Sequence, residues 1–187
     1  MNNNVKKYAG CILLFVLCVV LDQITKQWAV RTLMGSADIV VWKGVFSLHY
    51  LENTGMAFGL FKNQQVFFYI MTVLILGAVV LFFIKTPAKK RYLPILLFLT
   101  MIAGGAVGNL IDRASQKYVV DFLYFSLIDF PVFNVADCFV TVGCILLMIY
   151  FIFVYKDEEL TFYSFRKAEP EHITEETVSE NSDDGTV

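Results

Sequence analysis

Residues 66–84 read VFFYIMTVLILGAVVLFFI, nineteen consecutive positions without a charged side chain. At about 1.5 Å per residue, such a run makes a helix roughly 28 Å long, close to the thickness of a bilayer's hydrocarbon core. It has no polar face to turn toward water, as an amphipathic helix of a soluble domain would. Three more apolar blocks flank it. One runs from about Tyr8 through Leu21 and continues as DQITKQW to Trp28. The others cover about Tyr92–Ile111 and about Asp137–Tyr155. Pro94 near the start of the third block is tolerated in a helix's first turn. Of 187 residues 57% are hydrophobic and 17% charged, where a soluble domain carries about a quarter charged. The expected fold is an all-α integral membrane protein with four transmembrane helices and a small extracytoplasmic loop region containing β structure.

The formal net charge of −2 conceals an asymmetry. Residues 157–187 carry ten acidic and two basic side chains, leaving +6 for the rest. The chain therefore divides into a four-span domain, 1–156, and an acidic cytoplasmic tail, 157–187, of the composition that stays disordered. Lys6 and Lys7 precede an apolar stretch, as in a signal peptide, but no small-residue cleavage site follows. The segment reads as a retained first span. Lys6, Lys7, Lys85, Lys89, Lys90, Arg91 and Lys156 all fall at one end of the spans. Positive residues in short loops mark the cytoplasmic side, so both termini are expected there. The opposite side receives the longer loops 31–65 and 112–136 and every Asp outside the tail. In loop 31–65, Val45–Leu51 has the aromatic and β-branched make-up of a short strand. Trp28, Trp42 and Tyr50 suit the membrane interface.

Composition also narrows the chemistry. Cys11, Cys18, Cys138 and Cys144 lie in or beside apolar runs with no CxxC pair, so they read as small apolar fillers and not as a redox couple. His49 and His172 lie in unrelated segments without an HExxH pattern, which argues against a zinc protease. What remains are ionisable and amide groups at the rim of the membrane, each of which is costly there and needs a reason. Asp22 and Lys26, four apart, can pair on one helical face. Glu52-Asn53-Thr54-Gly55-Met56-Ala57-Phe58-Gly59 places an amide, a carboxylate and two glycines before the second span. Gly104 and Gly108 form a small-residue face for close helix contact. Asn109, Asp112 and Arg113 follow them at the outer end of the third span, where Arg113 could hold a carboxylate or a carbonyl bidentately.

Asp121, flanked by apolar residues, and Asp137, opening the fourth span with Asn134 three residues before it, suggest paired carboxylates. Two nearby Asp groups share a proton. One can then activate water while the other polarises a carbonyl. Asp129 has the setting of a solvated turn residue. Spacing alone does not select two among Asp112, Asp121, Asp129 and Asp137.

Five blocks taken together resemble the bacterial lipoprotein signal peptidase family, signal peptidase II. They are Asp22-Gln23-Ile24-Thr25-Lys26, Glu52 to Gly59, Gly104 to Arg113, Val119-Val120-Asp121-Phe122 and Phe133-Asn134-Val135-Ala136-Asp137. They follow the family's order across residues 22–137. The resemblance implies a membrane aspartyl endopeptidase without metal or cofactor. It would act on diacylglyceryl-modified prolipoproteins, cut just before the lipidated cysteine, and be inhibited by globomycin. It implies Asp121 and Asp137 as the catalytic dyad. Asp22, Lys26, Asn53, Gly55, Asn109, Arg113 and Asn134 become supporting or substrate-contacting residues, with Asp112, Gly104 and Gly108 structural. The implied partners are prolipoproteins, membrane lipids and globomycin-type inhibitors, with no nucleic acid. The implied place is the bacterial cytoplasmic (inner) membrane, with the active site near its outer face. The acidic tail lies outside the resemblance, and the Asp121–Asp137 loop is short for the family. The rival classes are a small ion- or proton-coupled transporter, which would favour acidic groups at mid-bilayer on several spans, and a membrane scaffold packing through Gly104 and Gly108.

Overall fold

The computed structural model describes residues 3–55 and 64–163. Met56–Gly59 of the glycine-bearing run, and the tail from residue 164 including His172, lie outside the described residues. Four helices form the body: α1 (Asn3–Leu33), α2 (Gln65–Lys85), α3 (Leu93–Gln116) and α4 (Val135–Ile149), the last continued by a π-helical turn over Tyr150–Val154. Each is long and apolar enough to cross a membrane. Their outer surfaces carry exposed Ile, Leu, Val and Phe, such as Val73, Leu74, Leu81 and Ile84 on α2. A protein in water would not leave so much contiguous apolar surface bare.

The central helix is α3, against which α1, α2 and α4 all pack. Its small residues permit this. A Cβ on Gly104 would stand 2.7 Å from the Cβ of Cys18, and one on Gly108 would stand 2.5 Å from Oδ2 of Asp22, both on α1. The Gly104/Gly108 face is thus the α1 seam. Gly105, turned the other way, meets the Ala136 carbonyl of α4. Without interhelical hydrophobic drive inside a bilayer, such close approach supplies the van der Waals contact that holds helices together. Cys11 and Cys18 are buried, Cys138 and Cys144 half-buried, and all four are free thiols.

A three-stranded antiparallel sheet caps one end of the bundle, in the order β1 (Ile39–Trp42), β2 (Phe46–Asn53), β3 (Val119–Tyr124). The expected strand at Val45–Leu51 is β2, two residues longer at its far end. The sequence does not announce β1 or β3. All four residues of β1 are exposed, and β3 is a run of five apolar or aromatic residues around one Asp, buried over its first four positions. Such a run carries no alternation to read. β3 sits on the end of α1, where Ala29 and Leu33 bury against Val120 and Phe122. Trp28 packs edge-on to Phe122, Trp42 is 68% exposed, and the Tyr50 hydroxyl donates to Glu52.

At the opposite end, the packed structure runs past residue 156, where the sequence places the start of the tail. Asp157–Tyr163 forms a 3-10 helix. Leu160 joins the apolar cluster of Ile95 and Tyr155, Phe162 packs edge-on to Tyr92, and Tyr163 does the same with Phe82. Arg91 binds both carboxylate oxygens of Glu159, at 2.9 and 3.0 Å. Average charge hides the aromatic residues that seat this segment.

Candidate active site

Asp121 lies in the middle of β3, opposite Leu51 of β2, and is 2% exposed. Asp137 lies in the first turn of α4. The residue that joins them is Asn134, fully buried at the N-cap of α4. Its Oδ1 accepts the Asp137 N–H (3.0 Å), and its own N–H donates to Asp137 Oδ2 (3.1 Å), a capping box that fixes the carboxyl. With Oδ1 so engaged, Nδ2 is left to donate to Asp121 Oδ1 at 2.6 Å and to Asn109 Oδ1 at 3.0 Å.

Two further amides are oriented by the same logic. Asn53 accepts the Gly55 N–H on Oδ1 (2.9 Å) and so turns Nδ2 to Asp121 Oδ2 (2.7 Å). Asn109 accepts from Lys26 Nζ on Oδ1 (2.8 Å) and turns Nδ2 to Asp137 Oδ1 (2.8 Å). Each oxygen of both carboxyls therefore receives one N–H donor. Lys26, 3% exposed, spends its three protons on Asn109, Asp22 (2.9 Å) and Asp112 (3.1 Å).

Those two aspartates take corresponding positions. Asp22 Oδ1 accepts the N–H of Ala136, the residue before Asp137, at 3.0 Å. Asp112 Oδ2 accepts the N–H of Val120, the residue before Asp121, at 3.1 Å. One ion triad thus pins the backbone on the N-terminal side of each of the two site carboxyls. Asp129, exposed and in a left-handed turn conformation, accepts from the Tyr124 hydroxyl instead.

Both carboxyls border a cleft of about 760 Å³ between α2, α3 and α4. Its walls are largely apolar, with Met71 and Ile75 from α2 and Val140 from α4; Asn53, Gly55, Asn109 and Arg113 bring polarity near the carboxyls. Burial first, and then the charge of Asp137, push the Asp121 carboxyl up to about 7, against the pull of the Asn53 and Asn134 amides and the Lys26 charge. A buried carboxyl beside a second one, in a mostly apolar cleft, is an arrangement for proton transfer to and from a bound substrate.

The family model described as "Signal peptidase (SPase) II" matches residues 14–153. The chain belongs to the signal peptidase II family. A lipoprotein signal peptidase of Clostridium tetani is 43% identical over 144 residues, covering 75% of this chain and 91% of that protein. One from Streptococcus thermophilus is 44% identical over 129 residues, covering 69% and 83%. A solved bacterial membrane enzyme structure, obtained by the in meso method at 2.3 Å resolution, superposes with a TM-score of 0.68 at 29% identity, covering 86% of this chain and 95% of that one. The signal peptidase II match spans all four helices and the sheet, and the chain is accordingly a multi-pass membrane peptidase.

Of the residues singled out in the sequence, Asp22, Lys26, Asn53, Gly55, Asn109, Asn134, Asp121 and Asp137 meet in one hydrogen-bonded network, with Asp112 bound to its far side. Arg113 borders the cleft but makes no ion pair with a carboxylate among the described residues. Its guanidinium lies over the Phe68 ring. Gln23 was assigned no part, yet its Nε2 donates to Asp112 Oδ1 (3.0 Å), Asp22 Oδ2 (3.2 Å) and the Gly108 carbonyl (3.2 Å). The signal was present: an amide inside an apolar span requires partners. Phe68 and Tyr69 had no such mark, because aromatic residues in a span read as lipid-facing.

Proposed function

We propose that this signal peptidase II family member is an aspartic endopeptidase in which Asp121 and Asp137 form the dyad. It removes signal peptides from diacylglyceryl-modified prolipoproteins by cutting immediately before the lipidated cysteine. The observation that carries the dyad is the shared clamp. Asn134 bonds both carboxyls, and every one of their oxygens accepts an N–H, so both are held facing a single cleft. In the free enzyme the pair keeps one proton, on Asp121. Asp137 takes a proton from a water whose oxygen attacks the scissile carbonyl carbon, while Asp121 gives its proton to the carbonyl oxygen. Collapse of the tetrahedral diol breaks the C–N bond as a carboxyl proton passes to the leaving nitrogen. Water is the only co-reactant.

The cleft's position supports a substrate drawn from lipid. Its α2 and α4 walls are mostly apolar, and the dyad lies at the sheet end, opposite the cluster of Lys85, Lys89, Lys90, Arg91 and Lys156. By the positive-inside rule, that cluster is cytoplasmic in the bacterial inner membrane and the dyad sits near the outer face. Asn53 at the end of β2 and Gly55 after it border the cleft, which brings this loop beside an extended peptide bound there. Intramembrane carboxylates of a transporter would line a path through the bilayer, whereas here Asp22 and Asp112 are bound to Lys26 at one end.

The test is a gel-shift assay on a purified prolipoprotein. Cleavage is expected for the diacylglyceryl-modified form, lost on adding globomycin, and absent for the unmodified precursor. Equal cleavage of both forms would overturn the substrate assignment. The pH dependence supplies a second check. Loss of the shared proton removes the acid, so kcat/KM should fall as pH rises past about 7. Asn53 donates to the ionised Asp121 and so holds its carboxyl down. Asn53→Ala should move the descending limb to higher pH while lowering the maximum. A limb that stays put or moves down would show that Asp121 does not govern it.

A further inference from the structure

Arg113 stands in the last turn of α3 and borders the same cleft as Asp121 and Asp137. In a low-dielectric site, a guanidinium near two carboxylates is drawn into bidentate contact with one of them. Arg113 makes no such ion pair among the described residues. Its guanidinium carbon instead lies 4.7 Å from the centroid of the Phe68 ring, and Phe68 is itself 7% exposed. The next residue of α2, Tyr69, donates its hydroxyl to the Arg113 carbonyl at 2.7 Å. That carbonyl also accepts the Lys117 N–H that closes the helix, at 3.2 Å. α2 therefore grips this one residue twice, by its side chain and by its main chain.

We propose that Phe68 is a positioning residue, whose ring holds the Arg113 guanidinium out of ion-pair contact with Asp121 and Asp137 and over the cleft, free to meet a substrate carbonyl. The inference rests on the dyad reading. An Arg in contact with either carboxyl would hold it ionised and strip the pair of the proton it must share. The negative face of an aromatic ring attracts the cation without bringing a charge of its own. The charge then stays close enough to act on a substrate's oxygen, and far enough to leave the dyad singly protonated. The other charged and titratable groups around the pair are already committed. Lys26 of α1 and Asp112 of α3 bind each other, and Glu52 of β2 accepts from Tyr50. Tyr69 of α2 is bonded to Arg113, and Cys138 of α4, next to Asp137 in the chain, is a half-buried free thiol. Arg113 is the charge that a change at Phe68 releases.

The test is the pH profile of kcat/KM for Phe68→Leu and Phe68→Trp in the full chain, with the lipidated prolipoprotein as substrate. Phe68→Leu should move the descending limb down by roughly one pH unit or more, with activity largely recovered at mildly acidic pH. Phe68→Trp, which keeps a π face, should retain the wild-type limb. If Phe68→Leu does not fold, Phe68→Met, whose unbranched side chain adapts to irregular space without a ring, carries the same expectation. A ring-less variant with the wild-type limb overturns the proposal, as does a Trp variant shifted as far as Leu, because a packing role alone would change stability and leave the limb in place. Asp121→Asn and Asp137→Asn separate the two ideas. If both are inactive and the Phe68 limb is unmoved, only the role of Phe68 fails; if either stays active, the dyad reading fails and this inference with it.

Discussion

Asp121→Asn and Asp137→Asn are each expected to lower cleavage of a diacylglyceryl-modified prolipoprotein by about 10²- to 10⁴-fold or beyond, the scale of losing a positioned acid or base. The substitution is nearly isosteric, but at this site it is not silent structurally. Each carboxyl accepts an N–H on both oxygens: from Asn53 and Asn134 at Asp121, and from Asn109 and the Asn134 main chain at Asp137. An asparagine offers one acceptor and one NH₂, so one donor is left facing another donor. A cost of about 1–3 kcal/mol follows, visible as a lower thermal midpoint in detergent. Activity and stability must therefore be read together, with Asp129→Asn as control. Asp129 lies exposed in a left-handed turn, where Asn is equally at home, and its bond from Tyr124 survives the change. Folded protein with cleavage retained at either site position would break the assignment and turn attention to Asp112.

Lys26→Met should be the most damaging change to stability. It leaves Asp22 (0% exposed) and Asp112 (4% exposed) facing one another without a cation. Removing one partner from a buried ion cluster costs about 3–5 kcal/mol, because the remaining charge cannot be solvated. The consequence reaches the proposed dyad by two routes. Asn109 loses one of the two donors, Lys26 and Asn134, that turn its NH₂ to Asp137, and the carboxylates that hold the Val120 and Ala136 N–H groups lose their anchor. Cleavage should disappear with the thermal midpoint lowered by several degrees or more. The triple variant Lys26→Met/Asp22→Asn/Asp112→Asn should recover much of the midpoint but not the activity. An unchanged midpoint in Lys26→Met would show that the triad does not hold the bundle together.

How far the molecule can be read from its residues depends on the range of the contact involved. The four helices were legible because a bilayer demands long apolar runs, and runs are local. β2 was legible from its own composition. β3 was not, since Val119–Tyr124 is a strand only because β2 and the end of α1 lie beside it. The packing beyond residue 156 was hidden for a related reason: Leu160, Phe162 and Tyr163 matter through partners on α3, at Tyr92 and on α2, which no average of charge over the tail displays. The candidate site followed the same rule. Asp22 and Lys26 could be paired from their spacing. Choosing Asp121 and Asp137 over Asp112 and Asp129 required the family resemblance, because what separates them physically is long-range. Asp112 is bound to Lys26 and Gln23, and Asp129 is tied up in its own turn. Phe68 shows the limit, a residue indistinguishable in the sequence from its lipid-facing neighbours.

The ion triad has a bearing on how such a protein is made. α1 is synthesised first and carries Asp22 and Lys26 one turn apart, so it can enter the bilayer as an internally neutralised helix, without waiting for later segments. Asp112 comes next with α3, and the Ala136 N–H that Asp22 accepts comes only with α4. The two carboxyls of the proposed dyad are thus brought to register by a fastening that closes with α4. A nascent chain stalled before that point holds Asp22, Lys26 and Asp112 but neither the Ala136 N–H that Asp22 accepts nor Asp137 of the proposed dyad.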